Sequence, residues 1–437
     1  CVAPSCASEP AAATATVVET NGIIMPGMID AHNHVLFNVF DESDWSPSKA
    51  YGNHNQWTNE PRYDAVVDAK QYLNGESGSP INLNCELNKY GELKALVAGT
   101  TAMVGSANPG NKICYRTLTR TIDQTANGLC GTVPPQSCTD NVQANTLFPS
   151  STSADKVCSN FVTGKTRAYL IHLGEGVDAS ALAEFDKLNT VTDPDGCLYS
   201  DRTVVVHGTA FGATEFDIMA QHGMGLVWSP RSNVFLYGSG TDLSQTTDVP
   251  AVRTRGIEVA LAPDWSLGGS KNLLEELRFA DRVDDEMWGD SMDASTLVGM
   301  VTDAPARLLA VDDVIGTLEV GKRADIVVLG GDVTLPYRSV VAATPREIRL
   351  AMIDGVALYG DDQLQPLHSG TCEAVDICGR AKFLCVAVAA GAAKDKLSQS
   401  YDEIVNALQT ALSDYDSLGL SQWSFAPLAP LVECGGP

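Results

Sequence analysis

A chain of 437 residues, 44% of them hydrophobic, is long enough to bury a large core. With 54 acidic against 29 basic residues the formal charge is −25, which excludes nucleic acid and anionic membrane surfaces as natural partners. No apolar run has the length of a transmembrane helix, no signal-peptide pattern occurs, and there is no internal repeat or low-complexity tract.

Taken in chain order, the first strong element is an apolar, strand-like run over 23–30, followed at once by His32 and His34. Residues two apart in an extended chain point the same way, so both imidazoles can converge on one ion. Residues 36–90 read as a long irregular insert carrying Phe37, Phe40, Trp45, Tyr51, His54, Trp57 and Tyr63, either an aromatic lid or a packed loop. A second strand is expected at 99–105. The third and fourth fall somewhere within 111–162, inside a second insert (107–160) rich in Cys, Asn, Thr and Pro that reads as a disulfide-pinned excursion.

Four further strands follow at 167–172, 202–207, 224–229 and 257–263. The first two end in His172 and His207, and the last runs into Asp264. Helical spacing marks Leu273, Leu274, Leu277 and Ala280, then Leu297, Val298, Val301 and Leu308. Beyond residue 368 comes a tail with four cysteines and an amphipathic helix on Ile404, Leu408 and Leu412. Strands alternating with helices predict an α/β fold with a parallel sheet, and metal-capable groups at the carboxyl ends of four strands suit the rim of a barrel.

These motifs resemble the amidohydrolase superfamily of metal-dependent hydrolases. Pro26-Gly-Met-Ile-Asp-Ala-His-Asn-His34, His172-Leu-Gly-Glu175, His207-Gly208 and Ala262-Pro-Asp-Trp265 fall in the order that family uses. Trp228-Ser-Pro-Arg-Ser-Asn233 and Ile315-Gly-Thr-Leu-Glu-Val-Gly-Lys-Arg-Ala-Asp-Ile-Val-Val-Leu329 extend the likeness, which covers residues 15–366. The pattern is most similar to the branch holding cytosine and guanine deaminases, S-adenosylhomocysteine deaminases and triazine hydrolases, which carry His-x-x-Glu after the fifth strand.

The resemblance implies a (β/α)8 TIM-like barrel over 23–315 and a small β-sandwich built from both chain ends, 1–22 and 316–366. A single barrel takes about 250 residues, which leaves 367–437 as a partly helical, Cys-containing extension. Ala15-Thr-Val-Val-Glu19 would be the last N-terminal strand of the sandwich, paired with 324–329 and 348–353. Relatives place a longer stretch before the His-x-His strand, so the N-terminal part of the sandwich is expected to be truncated here, with Cys1 the alternative start of a processed lipoprotein.

For the site, the resemblance implies one divalent ion, zinc before iron(II), held by His32, His34, His172 and Asp264. Glu175 would shuttle protons, His207 would orient the attacking oxygen, and Asp264 would also accept the water proton. Trp265, Arg231 and the aromatic residues of 36–90 are substrate neighbours on this reading, whereas His54, His222 and His368 read as structural or surface groups. Binuclear relatives bridge two ions through a lysine after the fourth strand; the only lysine in 113–164 is Lys156, which follows no apolar run, so a mononuclear site is favoured. The Trp228–Asn233 motif reads as a structural rim.

The reaction expected is hydrolysis of a C–N bond, deaminating a small N-heterocycle. The alternative is an amide hydrolase acting on N-acyl amino acids, dipeptides or cyclic amides, and a remoter one is a non-catalytic exported binding protein. The partner is a small molecule, with a homodimer as in many relatives. Twelve cysteines, ten of them clustered at 1 and 6, at 114, 130, 138 and 158, and at 372, 378, 385 and 434, form no Cys-x-x-Cys metal motif. They suggest disulfides and an exported protein, whether periplasmic, extracellular or lipid-anchored.

Overall fold

Gly27 divides the apolar run that reads as one strand at 23–30. An added Cβ there would fall 2.0 Å from Thr101 Oγ1, so only glycine lets the chain pass this close and change sheets. In the computed structural model, which describes residues 2–3, 5–105, 118–123, 129, 142–145, 148–387 and 399–435, β1 (Ile23–Pro26) belongs to one sheet and β2 (Met28–Asp30) to another.

Barrel strands follow from β2 in chain order: β3 (Thr100–Met103), β4 (Arg120–Thr121), β5 (Val142–Asn145), β6 (Ala168–Leu173), β7 (Thr203–His207), β8 (Gly225–Trp228) and β9 (Val259–Leu261). β2, β3 and β4 pair in parallel, as do β5 through β9. A parallel bridge between Asn33 and Asp264 joins the last strand's end to the first's. Ile29, Ala102, Ile122, Val142, Leu170, Val204, Val206, Val227 and Ala260 pack into one buried cluster. Every strand or its immediate extension supplies a small or β-branched side chain to that interior. Alternate residues such as Tyr169, Ile171, Val205 and Leu226 join the outer core beneath the helices. The third and fourth strands, which the sequence leaves unplaced, are β4 and β5.

The small domain is a six-stranded antiparallel sheet, ordered β1, β10 (Ile326–Leu329), β11 (Ile348–Ile353), β12 (Val356–Asp361), β14 (Ala381–Leu384), β13 (Glu373–Asp376). Two expectations are corrected here. Ala15–Glu19 forms no strand, and its place beside β10 is taken by β1. The sheet also runs past residue 366, because β13 and β14 come from the segment assigned to the C-terminal extension. Alternation explains its packing: Val327, Leu329, Ile348 and Ala351 face the main core, while Val328, Leu350, Ala357 and Phe383 form a second cluster.

Residues 36–90 are not irregular. They hold helices at His54–Trp57 and Pro61–Asn74 and the start of Asn84–Leu96, the helix that leads into β3. Their aromatic residues pack together: Trp45 lies 5.1 Å from Tyr63 and 5.9 Å from Trp57 between ring centroids, and Trp57 lies 5.5 Å from Trp265. The tail helix, Tyr401–Ser417, buries Ile404, Leu408 and Leu412 against these two longer helices, with Tyr415 5.2 Å from Tyr72. Disulfides join Cys158 to Cys197, Cys372 to Cys385 and Cys378 to Cys434. Cys1, Cys114, Cys130 and Cys138 lie outside the described residues, as does most of 107–141. No helix among the described residues is long and apolar enough to cross a membrane.

Arg120 on β4 ties the barrel to the small sheet. Its guanidinium donates to both oxygens of Asp325, at 2.6 and 2.9 Å, and both side chains are buried. Asp354, half exposed, accepts from the same guanidinium at 2.6 Å. Removing one partner of a buried pair strands the other charge, at a cost of about 3–5 kcal/mol. Asp325→Ala is therefore expected to lower unfolding stability by about 3 kcal/mol in urea titration, toward the low end of that range because Asp354 remains. A loss below about 1 kcal/mol would show that the pair is not coupling the two sheets.

Candidate metal centre

Local geometry brings the histidines together. On β6, Leu170 faces the barrel interior and His172, two residues on, faces the same way at the rim. After β2, the Asp30 carboxylate accepts from His32 N (3.1 Å) and from Asn33 Nδ2 (2.8 Å), which folds the two-histidine turn. On β7, Val204 and Val206 point inward, so regular alternation would turn His207 out; a left-handed φ of 74° reverses it. Asp264 is also left-handed, at 69°. Non-glycine residues in that region store about 1–3 kcal/mol of strain, and two of them sit at this rim.

Asp264 Oδ1 lies 2.9 Å from His32 Nε2 and 3.4 Å from His34 Nε2, and His34 Nε2 is 3.3 Å from His172 Nε2. The ring of His207 stands 5.2 Å from that of His172. One donor atom each from His32, His172, His207 and Asp264 lies within 4.8 Å of the others. Burial pushes His32, His34 and His172 down to about 3, so the rings are neutral at physiological pH. The close approaches to Asp264 are thus not ion pairs, although their distances would allow it.

The donor chemistry fits a cation. His172 Nδ1 faces the Asn145 carbonyl at 3.1 Å, which can only accept, so the ring's one proton sits there and the Nε2 lone pair is turned toward His34 Nε2. Neutral imidazoles and a carboxylate aimed at a common point are the ligand forms that a divalent ion requires. Asn145 stands at the end of β5, the fourth strand of the barrel.

Glu175 is buried beside this group, its Oε2 3.9 Å from His207 Nε2, and burial raises it to about 7. Tyr237 donates to Glu175 Oε1 at 3.0 Å. Trp265 is buried against His34, 6.0 Å between ring centroids, and its indole donates to Ser232 Oγ. Arg231, read from sequence as a substrate neighbour, spends its guanidinium on Glu275 (2.5 Å) and Glu42 (2.7 Å). A cavity of about 240 Å³ is bounded by His34, His172, Phe37, Asp123 and Asn145 among others.

His54, read from sequence as structural or surface, lies between Glu184 (2.7 Å) and Glu175 (3.6 Å). No local pattern could have flagged it, because Glu184 is 130 residues away. Ser232, Asn233 and Tyr237 were also unassigned, though the first two fall inside a motif the sequence singles out. His222 and His368 lie elsewhere, against Tyr199 and the Ala357 carbonyl.

The family model described as "Amidohydrolase family" matches residues 23–358. The chain belongs to the amidohydrolase family. Among curated relatives, the 5-methylthioadenosine/S-adenosylhomocysteine deaminase of Desulforudis audaxviator is 33% identical over 135 residues, 30% of each chain. The chain thus matches under a third of that protein's length. The enzyme of the same name from Haloarcula marismortui is 22% identical over 371 residues, covering 78% of this amidohydrolase and 82% of that one. Among solved structures, an adenosine deaminase from Xanthomonas campestris with bound zinc superposes with a TM-score of 0.59 at 16% identity, over 77% of this chain and 80% of that chain. Guanine deaminase of E. coli gives 0.52 at 16% identity, over 78% and 85%. These superpositions establish that the amidohydrolase barrel is shared.

Two outcomes test this geometry. A Cβ at Gly105, whose φ is 111°, would lie 1.7 Å from the Asn33 carbonyl oxygen, between the two histidines of the turn. Gly105→Ala should therefore displace that turn and release bound metal on gel filtration, while far-ultraviolet circular dichroism stays barrel-like; full metal retention would contradict it. The Glu184 hydrogen bond raises His54 above its ordinary 6.5, against the effect of burial. A raised histidine contributes stability that is fully present below the unfolded pKa and fades as pH climbs through the folded one. The stability difference between wild type and His54→Gln should accordingly be largest below about pH 6.5 and shrink above it. A pH-independent difference would show that the imidazolium is not what the carboxylates hold.

Proposed function

We propose that this amidohydrolase deaminates a small amino-substituted N-heterocycle, using one divalent ion, zinc before iron(II), held by His32, His34, His172 and Asp264. The observation that carries the reading is Glu175: a buried carboxyl, raised to about 7, standing at the edge of the convergent donors. A general acid–base is most effective when its pKa lies near the working pH. The bound ion supplies a water of lowered pKa and charge stabilisation for its addition.

The chain's own groups do the rest. His207 Nε2 addresses the attacking oxygen from the β7 rim. Asp264 accepts the proton that water gives up at its carboxylate, which Ser232 Oγ holds at 2.5 Å on the other oxygen. Glu175, steadied by Tyr237, gives its proton to the ring nitrogen, then takes the second proton of the added water and passes it to the departing amine; the proton held on Asp264 returns to Glu175, so that water and an amino-substituted carbon become a carbonyl and ammonia. Trp265, Phe37 and the packed 36–90 segment wall the site off from solvent. At about 240 Å³ the cavity lies below the roughly 300–1,000 Å³ of drug-sized ligand pockets, which limits it to a small substrate. The relatives named as deaminases of adenosine-type compounds and guanine support the same class. The disulfides among the described residues support export to an oxidising compartment.

Purified protein should carry one equivalent of metal by elemental analysis, and should release ammonia from at least one member of a panel of aminopurines, aminopyrimidines and aminopterins. Glu175→Gln should lower kcat by roughly 10²–10⁴-fold with metal content unchanged. A new carboxylate product without ammonia would replace the reading with the amide hydrolase, and no turnover of either kind with no bound metal would leave a binding protein.

A further inference from the structure

Three residues of the short helix Pro230–Tyr237, directly after β8, reach three different groups of the site. Ser232 donates to Asp264, Asn233 meets His207, and Tyr237 donates to Glu175. The middle contact has a chemical consequence. We infer that Asn233 is a positioning residue that locks His207 as the Nε2–H tautomer, making His207 a hydrogen-bond donor to the reacting oxygen and keeping it out of the metal's ligand set. The inference rests on the deaminase reading only for the identity of that oxygen.

The direction of the network follows from its one group that can only donate. Trp228 Nε1–H lies 2.8 Å from Thr246 Oγ1, so the hydroxyl accepts there. Thr246 has one proton of its own, and Asn233 Oδ1 lies 3.1 Å away to receive it. That assigns the oxygen of the Asn233 amide to Thr246 and leaves its Nδ2–H facing His207 Nδ1 at 3.2 Å. Nδ1 must then accept, and the ring proton belongs on Nε2. Turning the amide over would direct two N–H groups at Thr246 and deprive its hydroxyl proton of the acceptor the network provides. Trp228, Asn233 and His207 are all buried, where a wasted donor costs about 1–3 kcal/mol.

The far side of the ring agrees. Glu175 Oε2 stands 3.9 Å from Nε2, beyond direct hydrogen-bonding reach, so it does not take the Nε2–H, which is left for a third atom. Thr247, next to Thr246, donates to the His207 carbonyl at 2.6 Å and grips the left-handed backbone that turns the ring inward. Proximity alone groups His207 with the metal donors. A ring with its proton on Nε2 offers that ion no lone pair.

The tautomer can be read without turnover, by long-range proton–nitrogen correlation on the zinc-loaded, 15N-histidine-labelled protein, with His207→Gln assigning the signal. Wild type should show a protonated Nε2 and a bare Nδ1. In Asn233→Asp the carboxylate can only accept, so the proton should move to Nδ1. The variant should keep its zinc and its KM while kcat falls roughly 10²–10³-fold, the loss typical of one donor to developing charge. Thr246→Val, which breaks the chain one link earlier without touching the amide, should give a mixture of tautomers if Asn233→Asp fails to fold. A wild-type ring protonated on Nδ1, or metal-bound through Nε2, overturns the inference, as does an Asn233→Asp protein that keeps the wild-type tautomer. Absence of ammonia release from every substrate would overturn the proposed function and leave the tautomer assignment standing.

Discussion

Asp264 is where the fold and the chemistry depend on one residue. Its backbone pairs with Asn33 to close the last strand's end against the first, and His34 N donates to its carbonyl at 2.6 Å. Its side chain stands between His32 and His34 while Ser232 holds the second carboxylate oxygen. Closure of the barrel and convergence of the donors are therefore a single event. A strained, left-handed backbone at that position is the local cost, and it is tolerable because contacts on both sides fix it.

Around that point the structure sets neutral nitrogen donors against acidic oxygen. Burial discharges the histidines and raises Glu175, so a group that would be an anion at the surface can hold a proton inside. The same burial needs a cover. The helices of 36–90 supply it, with Trp45, Trp57 and Tyr63 packed on Trp265, and the C-terminal helix supports them from outside. Two regions that look peripheral in the chain thus help set the dielectric of the site.

The helix after β8 adds orientation. Because one rigid turn carries Ser232 and Asn233, and Tyr237 follows within the same helix, the Asp264 carboxylate, the His207 imidazole and the Glu175 carboxyl are aimed by a common element. Small errors in that helix would be felt by all three together. Arg231 lies on the same turn and pairs with two carboxylates of its own, Glu42 and Glu275.

Sequence alone determined what could be written in local periodicity and residue chemistry: strands of alternating or continuous apolar residues, histidines two apart, and a histidine, a glutamate or an aspartate where a strand runs out. Those are short-range patterns, and the ligand candidates His32, His34, His172 and Asp264 were legible from them. Strands β4 and β5 were not, since two to four half-polar residues carry too little periodicity. The break at Gly27 was hidden because a continuous apolar run looks the same whether it serves one sheet or two. Only tertiary structure could decide the partners of His54 and Asn233, 130 and 26 residues away in the chain, because hydrogen-bond geometry across a closed barrel leaves no trace in local spacing.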